Sequence, residues 1–200
     1  MSPYINDTIA GYNHFLKEQR SPDAKITLAL FDHSMSYVFQ NRPSNVVYDL
    51  TSSEYTIGGS TALMDAFGQV MNDTDQYLKG FDPANRPSVI FVVMTDGEEN
   101  ASRKFTKEQI KTMVEARTEA GWVFTFLGAN IDTFAAASNY GIGMAQTASY
   151  DQSTSTAQAF TATSDLVGRY RSAMVAGASV ESMKSMGYTD IERTKMKGGK

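Results

Sequence analysis

The run SVIFVVMT at residues 88–95, followed at once by DGEEN at residues 96–100, decides how this chain is read. A strand with one wet face alternates apolar and polar residues. This run is almost unbroken, which suits a strand covered on both faces in a parallel sheet packed between helices. WVFTFLG, residues 122–128, is a second run of the same kind. Between the two, Thr106-Lys107-Glu108-Gln109 reads as a capping box, with Phe105 and Ile110 placed as its hydrophobic staple. The helix it opens continues through Met113, Val114 and Ala120. Strand, helix and strand in succession predict an α/β fold with a mostly parallel central sheet flanked by helices.

The flanking sequence extends the pattern. Ile5, Thr8, Ile9, Tyr12, Phe15 and Leu16 share one helical face; Ser2 is placed as the cap, Pro3 in the first turn, and Ser21-Pro22-Asp23 ends the helix. KITLALFD, residues 25–32, reads as a strand, and HSMSYVFQN after it as the returning strand of a hairpin. Arg42–Gly59 is a loop that admits a short strand near Asn45–Leu50. Leu63, Phe67, Val70, Met71, Thr74 and Leu78 make the next helical stripe. Ile131–Tyr140 is a short helix stopped by Gly141, and Thr154–Val175 a long one with Phe160, Val167, Tyr170 and Met174 inward. These elements make one domain over residues 1–176. Residues 177–200 carry Met183, Met186 and Met196 without a stripe and end in Lys195, Lys197, Gly198, Gly199 and Lys200, which predicts a short helix and then a flexible, solvated tail.

Composition narrows the function. The chain has 200 residues, 42% hydrophobic and 20% charged, enough to bury a core without staples. It has no cysteine, which removes disulfides and thiolate chemistry, and His14 and His33 are too few for a histidine metal site. A net charge of -4 with mixed signs argues against nucleic acid as the partner. The N-terminal residues lack the charged and apolar regions of a signal peptide, and no apolar run reaches the roughly 20 residues of a membrane helix. The expected location is the cytoplasm, away from membranes.

In open α/β sheets, ligands bind at the carboxyl ends of the strands. Thr95-Asp96-Gly97-Glu98-Glu99-Asn100 sits there, directly after the most apolar strand. Gly58-Gly59-Ser60-Thr61 sits directly before a helix. A carboxylate from Asp96 and a hydroxyl from Thr61, with waters between, suit Mg²⁺, a hard cation that prefers oxygen. Ser60 or Thr61 also fits a plain helix cap, and Asp96-Gly97 a plain turn. Glu98 and Glu99 read as a solvated loop. No G-x-x-x-x-G-K-[ST] loop cradles phosphate, and Gly141-Ile142-Gly143 is too short and too late for a dinucleotide loop.

The order of FD at a strand end, GGSTALMDA opening a helix, VIFVVMTDGEEN and then WVFTFLGAN resembles the von Willebrand factor type A domain. More narrowly it resembles the stand-alone A-type proteins of bacteria and phages, over residues 2–175. The resemblance implies a Rossmann-like fold and a non-enzymatic, protein-binding module. It also implies a metal-ion-dependent adhesion site, whose open metal position takes a carboxylate from a partner protein. It carries the site's threonine onto Thr61 and its post-strand aspartate onto Asp96, with Mg²⁺, or Mn²⁺ in its place, as the ion. Gly59, Gly97, Glu98 and Glu99 fall on the implied partner face, and a phage-encoded relative would act in the host cytoplasm.

The family's first strand, with its D-x-S-x-S, is not found: Met1-Ser2-Pro3 resembles the segment just after that motif in relatives. Asp32-His33-Ser34-Met35-Ser36 spells D-x-S-x-S but leads into a strand rather than a helix. If strand 25–31 paired directly with strand 88–95, Asp32 and Ser34 would approach Asp96 and make a rearranged site. Two further readings stand beside the first. One is a metal-free scaffold or assembly subunit that oligomerises through an open sheet edge. The other is a metal-dependent phosphoryl-transfer enzyme built on Asp96.

Overall fold

The computed structural model describes residues 4–56 and 58–199; the expected Ser2 cap and Pro3 first turn lie outside them. Helix α1 (Ile5–Glu18) is followed by the hairpin β1 (Lys25–Phe31) and β2 (Met35–Pro43), then by α2 (Leu63–Leu78). A single 3₁₀ turn at Pro83–Asn85 leads to β3 (Ile90–Thr95), α3 (Lys107–Glu119), β4 (Val123–Gly128) and α4 (Thr133–Asn139). The chain ends in β5 (Thr147–Ser149), α5 (Thr156–Val175), α6 (Val180–Ser185) and α7 (Asp190–Met196).

The fold is α/β, with a parallel sheet between helical layers. Strands β3, β4 and β5 pair in that order, Ile90 opposite Val123 through Thr95 opposite Gly128, then Phe126 opposite Thr147. All six residues of β4 are buried, as an unbroken apolar run requires. On one face Leu63, Phe67 and Met71 of α2 join Ile110 and Val114 of α3 over Val93, Phe124 and Phe126. On the other face Ala159, Leu166 and Tyr170 of α5 cover Val123, Leu127 and Ala148. The capping box of α3 is formed, Thr106 Oγ1 accepting from Gln109 N while Thr106 N donates to Gln109 Oε1. Phe105 and Ile110 meet in the same cluster, as a staple should.

The hairpin is not part of that sheet. Among the described residues β1 pairs only with β2, antiparallel, from Lys25 opposite Pro43 to Phe31 opposite Met35. The direct pairing of strand 25–31 with strand 88–95, on which a rearranged site would depend, does not occur. α1 packs on this side, with Tyr12 and Leu16 over Phe39, Val47 and Leu50. It approaches α5 closely at Gly11, where an added Cβ would lie 2.3 Å from the Phe160 ring. No strand forms at residues 45–50. Val47 and Leu50 are buried from a loop instead, whose backbone Leu50 donates to Asn13 Oδ1 at 2.7 Å.

Residues 177–196, expected as a short helix and a flexible tail, are docked on the domain instead. Met183, Tyr188 and Met196 are buried in the α5 face cluster. Gln146 Nε2 donates to the carbonyls of Lys184 and Met186, Asp151 N to Met196 O, and the Arg193 guanidinium to the carbonyls of Met144, Ala145 and Thr147. A basic, glycine-containing terminus carries no visible stripe, yet it is docked by Met183 of α6, Met196 of α7 and Tyr188 in the link between them. No helix among the described residues is long and apolar enough to cross a membrane.

Met196 has no exposed surface, whereas Ile191 on the same helix is 69% exposed. Met196→Ala is therefore expected to cost about 2–5 kcal/mol in denaturant unfolding, and Ile191→Ala less than about 0.5 kcal/mol. Equal, small losses for both would show that the C-terminal segment is not docked.

Candidate functional site

The carboxyl ends of β1 and β3 meet one loop, residues 58–62, that crosses in front of both. Asp32 O, just past β1, accepts from Ala62 N at 2.6 Å. Thr61 O accepts from Asn100 N at 3.0 Å and Ala101 N at 3.2 Å, just past β3, while Thr61 N donates to Asn100 Oδ1 at 2.8 Å. The carboxyl ends of both strands thus lie at the same edge. The glycines allow the approach: a Cβ on Gly58 would lie 2.4 Å from Asp32 Cβ, and one on Gly97 2.9 Å from Thr61 Oγ1.

Two carboxylates hold this edge from within. α2 begins after Ala62 with no side-chain cap of its own, so neither Ser60 nor Thr61 is its cap. Glu99 does that work from 35 residues away: its Oε2 accepts from Met64 N at 2.9 Å and Ser102 Oγ at 2.7 Å, its Oε1 from Ala101 N and Ser102 N. Ser102 Oγ in turn accepts from Asp65 N at 3.0 Å. A carboxylate at a helix N-terminus is favoured both by the free N–H groups and by the helix dipole. Asp65 then reaches back from α2, accepting from the backbone of Arg103, Lys104 and Phe105. Burial alone would raise both carboxyls, but the backbone donors outweigh it and hold each below its ordinary value.

Other side chains stay outward. Asp96 and Glu98 are exposed, Gly97 and Thr61 half-buried, Gly59 exposed and Ser60 half-buried. Asp96 Oδ2 accepts from Gln152 Nε2 at 2.7 Å, and Gln152 Oε1 from Asn130 Nδ2 at 3.1 Å, so loops after three parallel strands share one polar chain. Burial first, and the Asp96 charge second, raise the phenols of Tyr55 and Tyr150 above their ordinary value. Asp32 is turned to its own loop: Oδ1 accepts from Ser34 N at 2.8 Å and Ser34 Oγ at 3.3 Å and lies 3.0 Å from His33 Nδ1. The Ser34 backbone N–H is the main cause of its lowered pKa.

The structure thus brings Thr61, Asp96 and Asp32 to one edge, but as separate pairs: Thr61 with Gly97, Asp96 with Gln152, Asp32 with Ser34. Among the described residues no group of three or more His, Cys, Asp or Glu converges on a metal position. The Thr61 hydroxyl and Asp96 Oδ1 are two oxygens at this edge without a hydrogen-bond partner, fewer than the roughly six a hard cation takes, so water would have to supply most of its shell. Glu99, expected in a solvated loop and on the partner face, is instead half-buried and turned inward onto Met64, Ala101 and Ser102; Asp65, Asn100 and Gln152 were given no role by the sequence reading. A carboxylate that caps a helix 35 residues earlier leaves no local spacing to find. Comparison with protein-family models, with curated proteins and with solved structures gives no match.

Glu99 and Asp65 titrate lower in the folded chain than in the unfolded one. Their stabilisation is complete above the ordinary carboxyl values, 4.5 and 3.8, and is lost as pH falls through the depressed folded values. Glu99→Gln is expected to cost about 1–3 kcal/mol at neutral pH, by leaving backbone donors poorly matched, and to flatten the loss of stability below pH 4.5. Glu98→Gln, exposed, should change neither. Chemical unfolding across pH 3–7 (roughly the carboxyl range) checks this, and identical behaviour of the two variants would contradict it.

Proposed function

We propose that this chain is a protein-binding module of the von Willebrand factor A kind, without enzymatic activity, that engages a protein partner through its strand-end edge. The observation that carries the reading is the division of labour in the loop after β3. Glu99 is consumed in fixing the loop to α2, while Asp96 and Glu98 are left exposed on a backbone that cannot drift. Preorganised polar groups on a rigid scaffold lose little freedom on binding. Gly59, Thr61 and Gly97 complete the contact face.

In this reading Thr61 and Asp96 hold Mg²⁺, or Mn²⁺, partly through water, and a carboxylate on the partner fills an open position. Asp32 becomes a ligand only if its carboxylate leaves Ser34. The module works in the cytoplasm and does not bind nucleic acid. A metal-free scaffold that uses an unpaired strand edge is the second reading, favoured by the separation of β1 from β3. A phosphoryl-transfer enzyme built on Asp96 has no such support: the groups around Asp96 are Gln152, Tyr55 and Tyr150 rather than a base and nucleophile pair.

Thermal unfolding with Mg²⁺, with Mn²⁺ and with chelator, on wild type and Asp96→Ala, tests the metal. Ion at 100 times its Kd contributes about 2.7 kcal/mol, a midpoint rise on the order of 5–10 °C for a domain of this size. The rise is expected in wild type and not in Asp96→Ala. Its absence from both would remove the ion from the proposal.

A further inference from the structure

The ladder between β4 and β5 stops early, and a cavity lies where it stops. Its first pair is Phe126 opposite Thr147. Phe126 N donates to Gln146 O and Tyr150 N to Gly128 O, whereas Val123 N donates to Val89 O on the β3 side. Peptide groups alternate in direction along a strand, so Phe124 presents its N–H and C=O to the same edge as Phe126. A ladder two residues longer would pair Phe124 N with Met144 O and Gln146 N with Phe124 O. Both of those partners are taken by a turn: Gln146 N donates to Gly143 O and Thr147 N to Met144 O, each at 3.2 Å. Arg193 Nη2 also donates to Met144 O, at 2.8 Å. Among the described residues the Phe124 N–H and C=O therefore have no hydrogen-bond partner, although Phe124 is only 4% exposed. Buried backbone groups are nearly always paired, so this donor and acceptor call for a group that meets them.

The cavity beside Phe124 measures about 280 Å³ and lies at the amino end of β4, the opposite end of the sheet from the candidate site. Val114 of α3, Trp122, Ile142, Tyr170 of α5 and Met183 of α6 make its walls, and all are buried. Gln146 lines it as well and is 8% exposed. Its Nε2 holds α6, donating to Lys184 O at 2.6 Å and Met186 O at 2.5 Å, while its Oε1 accepts from no donor among the described residues. At the rim each charge has a counter-charge: Lys184 Nζ reaches Glu119 Oε1 at 2.6 Å, and Lys111 Nζ lies 3.9 Å from Glu115 Oε1. The interior thus offers apolar walls, one backbone N–H, two carbonyl oxygens and no unpaired charge.

We propose that this cavity binds a small, uncharged, planar ring that carries an N–H donor beside an acceptor, the edge shared by a lactam and a free nucleobase. The ring acceptor takes the Phe124 N–H, the ring N–H donates to Phe124 O, and a second donor on the ring reaches Gln146 Oε1. The ligand completes on β4 the ladder that β5 leaves unfinished. A cavity of this size takes a molecule of one or two rings; apolar walls hold its body, and a few backbone and amide groups fix its orientation. A charged ligand would give up its hydration and meet no free counter-charge. The site is distinct from the polar strand-end edge and needs no metal.

The test titrates four probes into the full chain and reads amide chemical shifts by residue. Uracil and adenine stand for nucleobases, δ-valerolactam for lactams, and benzene for an apolar ring without the edge. The expected result is a shift of the Phe124 amide with the bases, the lactam or both, and at saturation a slowing of its hydrogen exchange by roughly tenfold or more. Benzene is expected to give neither. Binding of the bases alone assigns the source as a nucleobase, and binding of the lactam alone as a lactam. Val180→Trp, which fills the mouth from α6, is expected to weaken binding at least tenfold, its thermal midpoint showing that it is folded. Equal binding of benzene would overturn the proposal, because the edge would then play no part. Silence at Phe124 with every probe, shifts confined to residues 58–61 and 96–100, or unchanged affinity in folded Val180→Trp would overturn it too. None of these readouts depends on Mg²⁺ or on a protein partner, so this proposal can fail while the first stands.

Discussion

A backbone N–H or C=O taken out of water must find a partner, and among the described strands only β4 meets that demand by pairing on both edges. The unpaired edges of β1 and β3 shape much of the rest. The strand layer is divided into a hairpin and a three-stranded parallel sheet. The most apolar strand of the chain is less buried than β4 beside it. Helices α1, α2 and α5 carry the connection between the two halves that hydrogen bonds would otherwise make, through side chains of α1 and α5 on one face and α2 on the other.

The polar edge is the second place where the halves are joined, and there the joints are directional. Asp32 O to Ala62, Thr61 O to Asn100 and Ala101, and Glu99 to Met64 make a continuous path from the end of β1 to the end of β3. Hydrogen bonds to a charged acceptor are worth about 1.5–3 kcal/mol each, so the carboxylates of Glu99 and Asp65 are strong fixings. The same acidic stretch therefore does two jobs. Glu99 and the neighbouring α2 residue Asp65 spend their charge inward, and Asp96 and Glu98 present theirs to solvent. Inward fixing of the edge and exposed charge come from adjacent residues of one loop.

Much of this was legible in the sequence where the cause is local. The two unbroken apolar runs, the hairpin, the α2 stripe and the capping box at Thr106 each rest on spacing within a few residues, and each is present. What escaped depends on distant partners. β5 has only Thr147–Ser149 and exists because β4 offers it an edge. Residues 45–50 contain strand-like valines, but Asn13 takes up the Leu50 backbone and holds the segment as a loop. The docking of Met196 and the capping of α2 by Glu99 have no local signature at all. At the candidate site the edge itself and the positions of Asp96 and Thr61 were readable. The inward turn of Glu99, the link from Asp96 to Gln152 and the self-contained Asp32–Ser34 turn were not.

Native-state hydrogen exchange of the unliganded protein tests the division of the strand layer most directly, because each amide reports whether it has a partner. The β4 amides from Thr125 onward are expected to be the slowest in the molecule. Amides of β1 and β3 directed away from β2 and β4 are expected to exchange far faster, as those of an open edge do. Uniform protection across β1, β3 and β4 would contradict this, by showing that β1 and β3 are paired on both edges.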